Sequence, residues 1–220
     1  MEKLLNIFKS FILFVVYLLY AAIIMVILKK TGVKNEYIQS IILLLSSIII
    51  TIIYVLIYKN KIKKDLKDIN QKDNDKMYLK DTFKYWIIGL LLMIIANSII
   101  GIFITGISPN ESANRELLSD LYIFAIPTMI LFAPICEEII FRLSIKDFIS
   151  NKYLYVLTSG LLFGYAHIIG ETGINLVYVI PYVILGLCFS MLYEKHKNII
   201  CPIIAHMIHN LVCIVLIVLL

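Results

Sequence analysis

The sequence predicts an all-α, polytopic transmembrane bundle of about seven spans. Of its 220 residues, 61% are hydrophobic, against about 45–50% in soluble domains. Apolar runs long enough to cross a bilayer recur along the chain, separated by short polar loops. No stretch alternates apolar and polar residues in the manner of a strand, so an all-β barrel is not indicated.

The first run, 11–28, carries no charge over 18 residues, and a spanning helix needs about 17–25. It follows a short basic start and lacks a small-x-small cleavage site, so it reads as a retained anchor rather than a signal peptide. Lys29, Lys30, Lys34 and Glu36 form a short loop before the second span, 37–58. Segment 59–84, dense in Lys and Asp, reads as a solvated loop with room for a short surface helix. The third span is 85–107. Ser108-Pro-Asn-Glu then reads as a turn, with a helix restarting near Glu116.

The fourth span contains Pro127 and Pro134, each expected to kink it or free a carbonyl, and runs into Glu137 and Glu138. It is expected as one long helix over 117–149. The remaining spans are 153–170, 174–193 with Pro181 inside, and 199–220. Residues 1–116 group as N-terminal transmembrane helices with a basic loop, and 117–220 as a second part of the same integrated membrane domain.

Seven spans with a cytoplasmic N-terminus place 1–10, 59–84, 141–152 and 194–198 inside, where most Lys and Arg lie. The loop with Lys29, Lys30 and Lys34 is the exception. The net charge of +5 therefore points to anionic lipid headgroups, not nucleic acid. The four cysteines (Cys136, Cys188, Cys201 and Cys213) have no paired spacing and read as buried free thiols.

Inside these runs few ionisable groups are found. They are Glu137 and Glu138 on the fourth span, His167 on the fifth, and His206 and His209 on the seventh, with Asn210 beside them. A carboxylate near the centre of a membrane helix costs about 2.5–3.5 kcal/mol on insertion scales. Glu138 and Arg142, at i and i+4 with the acid first, form a favourable helical ion pair. Glu137 is rotated about 100° from Glu138 and has no such partner. A poorly solvated, unpartnered glutamate suits a general base near neutral pH. The plainer alternative is a helix end at the membrane surface with both acids in water. Each histidine taken singly reads as a structural one. Three helices that each carry a polar cluster can meet at one point, however. His206 and Asn210 share a face, as do Phe163 and His167, whereas His209 points elsewhere as a bystander or a substitute for His206. Gly160 and Gly164 give the fifth span a small face for close helix packing.

Glu137-Glu-Ile-Ile-Phe-Arg142 fits EExxxR, Phe163-Gly-Tyr-Ala-His167 fits FxxxH, and His206-Met-Ile-His-Asn210 fits HxxxN. In this order, over about 117–220, the chain resembles the CPBP family of CAAX-processing-like and bacteriocin-processing intramembrane proteases, also called Abi. The resemblance implies a glutamate-dependent peptidase of the cell membrane acting on a peptide or protein substrate. In it, Glu137 is the general base assisted by His167, His206 and Asn210 form an oxyanion hole, and Glu138 and Arg142 form an orienting ion pair. Phe163 supports His167. No cofactor is expected, since HExxH is missing. The alternative is zinc on Glu137, His167 and His206. Two other readings stay open: a non-enzymatic immunity or partner protein, and a proton-coupled transporter. Oligomeric state and substrate identity are not legible.

Overall fold

The lysine-rich end of the molecule is a layer of ion pairs that ties most of the helices together. The computed structural model describes residues 1–69, 71 and 74–219. Asn70, Lys72 and Asp73 of the expected 59–84 loop, and Leu220 of the last expected span, lie outside the described residues. The described residues form nine helices: α1 Glu2–Lys30, α2 Glu36–Ile57, α3 Lys59–Ile69, α4 Asn74–Phe103, α5 Pro109–Asp120, α6 Tyr122–Ser144, α7 Lys152–Ala166, α8 Val179–His196 and α9 Ile200–Leu219. A 3₁₀ turn, Gly173–Tyr178, leads into α8. There is no strand among the described residues.

Local chemistry sets the boundaries. Asn35 caps α2 by accepting from the Ile38 N–H at 3.1 Å. Ser108 caps α5 through the Glu111 N–H, and Pro109 occupies the first turn, where a missing N–H leaves nothing unsatisfied. Asn151 accepts from both Tyr153 and Leu154 to start α7. Pro181 falls in the first turn of α8, which tolerates it for the same reason. The surface helix entertained for 59–84 is α3.

Six helical segments are long and apolar enough to cross a membrane: Glu2–Lys30, Glu36–Ile57, Lys76–Phe103, Tyr122–Ser144, Gly173–His196 and Ile200–Leu219. The chain is a multi-pass membrane protein with about six such spans, one fewer than expected. The difference is the expected span 153–170, where α7 has only 15 residues. The chain turns off at His167, and Gly170 and Gly173 adopt left-handed φ values of 91° and 61°, so the apolar run continues past the helix.

The expected single helix over 117–149 is also corrected. Leu121, at φ −130° and ψ 41°, separates α5 from α6. Ser119 there bonds Asp120 and the Glu116 carbonyl, offering the backbone an alternative to further helix. At the other end, Asp147 is held by Lys9, Tyr58 and Asn6, and the chain turns toward α7.

α6 is not a regular helix. It includes two π-helical stretches, Thr128–Phe132 and Ile139–Ser144, a form frequent at functional sites. In the first, the Ala133 N–H bonds the Thr128 carbonyl. The next residue, Pro134, has no N–H, so the Met129 carbonyl has no donor within its helix. Asn210 of α9 supplies one at 2.8 Å. The carbonyl that the prolines were expected to free is thus what anchors α9 to α6.

α7 and α8 pack as an antiparallel pair in very close contact. A Cβ on Gly164 would lie 2.3 Å from Val183 Cγ2 and 2.7 Å from the Val183 nitrogen, and one on Gly160 would lie 2.6 Å from Leu187 Cδ2. The small face read from the sequence is this interface. Gly164→Ala is expected to destabilise the protein by about 1–3 kcal/mol, the range for overpacking. A thermal-unfolding midpoint in detergent equal to that of the native chain would contradict this close approach.

Candidate active site

Arg142 is fully buried, and its partners fix the geometry of everything above it. Its Nε and Nη2 donate to Glu138 at 2.7 and 3.3 Å, and its Nη1 donates to Ser159 at 2.7 Å and Ser190 at 2.9 Å. The guanidinium lies 4.9 Å from the Phe163 ring centroid. Ser159 passes its own proton to the Phe141 carbonyl and Ser190 to that of Gly186. One side chain therefore joins α6, α7 and α8. The expected i, i+4 pair is present, with both members 0% exposed.

Glu138 extends the network to α9 by accepting from His206 Nδ1 at 2.9 Å. His167 Nδ1 donates to the Phe163 carbonyl at 2.8 Å. A carbonyl and a carboxylate held by arginine can only accept, so each Nδ1 carries the proton and each Nε2 is turned to the opposite side. Those two Nε2 atoms face one oxygen. Glu137 Oε2 is 3.9 Å from His167 Nε2 and 3.8 Å from His206 Nε2. It is buried and makes no direct hydrogen bond among the described residues. Both separations are too long for a direct bond, and each can be bridged by a single oxygen atom.

Phe163 sits among these groups. Its ring is 4.5 Å from His167, 5.5 Å from His206 and 5.4 Å from Phe141, centroid to centroid. The far face of His167 stacks on Tyr182 at 4.7 Å with the planes 16° apart. The rings hold both imidazoles in orientation.

The structure thus brings Glu137, Glu138, Arg142, Phe163, His167 and His206 into one cluster. Asn210 lines the same cavity, but one of its amide protons is engaged by the Met129 carbonyl. His209 also lines it, its Nδ1 buried without a partner among the described residues and its Nε2 3.6 Å from Cys213. Glu137 and His167 meet without the long helix. Ser159 bonds Phe141, which sets α7 in register with α6. His167 lies eight residues beyond Ser159 and Glu137 four before Phe141, so at 1.5 Å per residue they differ by only about 6 Å along the axis. α7 begins well below the end of α6, and this closes the gap.

One residue of the cluster escapes sequence reasoning. Tyr17 of α1 donates to Glu137 Oε1 at 2.8 Å. A tyrosine in an apolar run carries no signal, because the chain has 14 of them and such rings commonly serve packing. Its place one turn beyond Phe14, which packs on Phe141 at 5.8 Å, is visible only once α1 is docked.

A cavity of about 670 Å³ adjoins the cluster. Next to the cluster it is lined by Phe14, Phe141 and Phe163, packed edge to face. From there it runs along α6 to Asn110, Glu111, Asn114 and Arg115 of α5.

A zinc ion on Glu137, His167 and His206 would need ligand atoms about 3.4 Å apart for tetrahedral bonds near 2.1 Å. The observed 3.8 and 3.9 Å are wider, and no group of three His, Cys, Asp or Glu side chains among the described residues could hold a metal ion. As they stand, the three side chains do not fit a tetrahedral zinc.

Among known proteins, the chain is 32% identical over 174 residues to an uncharacterized protein of Mycoplasma capricolum subsp. capricolum, covering 73% of this chain and 48% of that protein. It is 31% identical over 171 residues to the Bacillus subtilis protein named "Putative membrane peptidase YdiL", covering 74% and 66% respectively. It is 32% identical over 144 residues to the UPF0177 protein YvdC of Lactococcus lactis, covering 60% and 54%. The chain spans about half to two thirds of the length of these relatives. No solved structure matches it. Residues 119–212, which hold every motif of the cluster except Tyr17, match the family described as type II CAAX prenyl endopeptidase Rce1-like.

Proposed function

We propose that the protein is an intramembrane endopeptidase in which Glu137 activates water. The observation that carries this reading is one buried carboxylate oxygen facing two imidazole Nε2 atoms at bridging distance. Glu137 Oε2 takes a proton from the water as its oxygen bonds to the scissile carbonyl carbon. His167 Nε2 accepts the water's second hydrogen and so aims the attacking lone pair. The carbonyl oxygen becomes negative and is met by His206 Nε2–H, the ring being aimed by its Nδ1–H bond to Glu138, and by the remaining amide proton of Asn210. Each such donor is worth about 2.7–4 kcal/mol. Glu137 then delivers its proton to the departing nitrogen, the C–N bond breaks, and a carboxylic acid, still carrying the water's second hydrogen, leaves with an amine.

The family match over 119–212 and the named relative support the class of activity, and the buried cluster supports the mechanism. The test is cleavage of an internally quenched peptide pool by the purified chain in detergent. Cleavage is expected to continue unchanged in excess chelator. Loss of activity in chelator with recovery on adding zinc would replace this mechanism by a metal-dependent one.

Tyr17 enters the same scheme as a positioning residue. By holding Oε1 it leaves Oε2 turned toward the imidazoles. A hydrogen bond to a charged group is worth about 1.5–3 kcal/mol, so Tyr17→Phe is expected to lower kcat by about 10- to 100-fold. KM should stay unchanged, and the unfolding midpoint should fall modestly with the lost bond. A tyrosine that serves structure alone would lower the midpoint and leave kcat per folded molecule intact.

A further inference from the structure

The cavity lining reaches the end of the bundle that carries α5, and the lysines lie at the other end. At the lysine-rich end, Lys9 meets Asp147 at 2.5 Å, Lys146 meets Glu194 at 2.8 Å, Lys195 meets Asp81 at 2.7 Å, and Lys61 reaches the Lys197 carbonyl at 2.6 Å. These contacts gather the ends of α1, α6 and α8 with α3 and the beginning of α4 into one face. The lysines of α3, with Lys3, Lys9 and Lys152, belong to it. The opposite face carries Lys29, Lys30, Lys34 and Arg115, and Arg115 is neutralised by Glu111 at 2.9 Å. Excess Lys and Arg in short loops marks the cytoplasmic side.

No residue lining the cavity belongs to the lysine-rich face. On that side the lining ends at Phe14, Phe141 and Phe163, and next to them the Arg142 network fills the core. In the other direction the lining continues through Thr128, Ala125 and Leu117 to the polar helix α5.

We propose that the cavity takes its substrate from the non-cytoplasmic side of the membrane, as an extended peptide segment of low charge. This rests on the peptidase reading of the site. Glu137 lies 15 residues from Tyr122, the start of α6, or about 22 Å at 1.5 Å per residue. About seven residues of extended chain, at 3.3 Å each, cover that depth. Asn97, Asn110 and Asn114 line the way, and amide side chains pair with both the N–H and the C=O of a peptide backbone. Glu111 and Arg115 cancel each other, so the rim selects for neither charge.

The test separates the face from the chemistry. A membrane-impermeant maleimide is applied to intact cells and to inside-out vesicles carrying Asn114→Cys or the exposed Lys63→Cys, with the native chain as background for its own cysteines. Asn114→Cys is expected to react more than tenfold faster in intact cells, and Lys63→Cys more than tenfold faster in inside-out vesicles. Coupling a polyethylene glycol maleimide to Asn114→Cys should then reduce cleavage of the quenched peptide pool in detergent at least tenfold relative to the uncoupled variant. Reaction of Asn114→Cys chiefly from the cytoplasmic face, or full cleavage after coupling, would overturn the proposal. If no form cleaves the pool in detergent, the peptidase reading falls, and the labelling alone decides which face the cavity opens to.

Discussion

Glu137→Gln is expected to lower kcat by about 10²- to 10⁴-fold, the range for removing a general base, while the protein inserts, folds and unfolds as before. The amide is the same size as the carboxylate and keeps an acceptor for the Tyr17 hydroxyl. Its NH₂ would stand where Oε2 now lacks a donor, facing His167 Nε2, which can accept because its Nδ1 carries the proton. The substitution therefore removes the proton acceptor without leaving a new unsatisfied group, and the unfolding midpoint should not fall. Cleavage at more than a tenth of the native rate would remove Glu137 from the role of base. A cellular protection that survived Glu137→Gln would favour the non-enzymatic immunity reading. Solute uptake lost in His167→Ala would favour the transporter.

The pairing of Glu138 with Arg142 was legible in the sequence because helical geometry alone puts them on one face, and the structure adds Ser159 and Ser190 to the same guanidinium. The convergence of His167 and His206 on Glu137 was legible for a different reason. Polar groups in apolar helices need partners, and few were available. What could not be read is what depends on docking. Tyr17 looks like any other ring in an apolar run until α1 packs against α6. The early end of α7 is hidden because the run stays apolar to Ile169, and only the glycine conformations beyond it turn the chain. Asn210 lies between the two cases. The prolines announced a free carbonyl, but that it would be Met129 depends on the π-helical register of α6.

The largest expected loss of stability belongs to Arg142→Met. Arg142 and Glu138 are both sealed from solvent, and removing one member of a buried pair strands the other, at a cost of about 3–5 kcal/mol. Ser159 and Ser190 lose their donor at the same time. The single variant should unfold at a much lower temperature or fail to accumulate. Glu138→Leu paired with Arg142→Met leaves no charge stranded, and buried ion pairs replaced by apolar side chains are often neutral or better. The double variant is therefore expected to recover most of the lost stability. It should not recover cleavage, because His206 Nδ1 would have no acceptor and its ring no fixed orientation toward Glu137. Stability and activity would then separate within one pair of variants: the midpoint returns while kcat stays low. If the double variant regains both, the pair serves only packing, and the orientation of His206 must come from Phe163 and Phe189, whose rings each lie 5.5 Å from it.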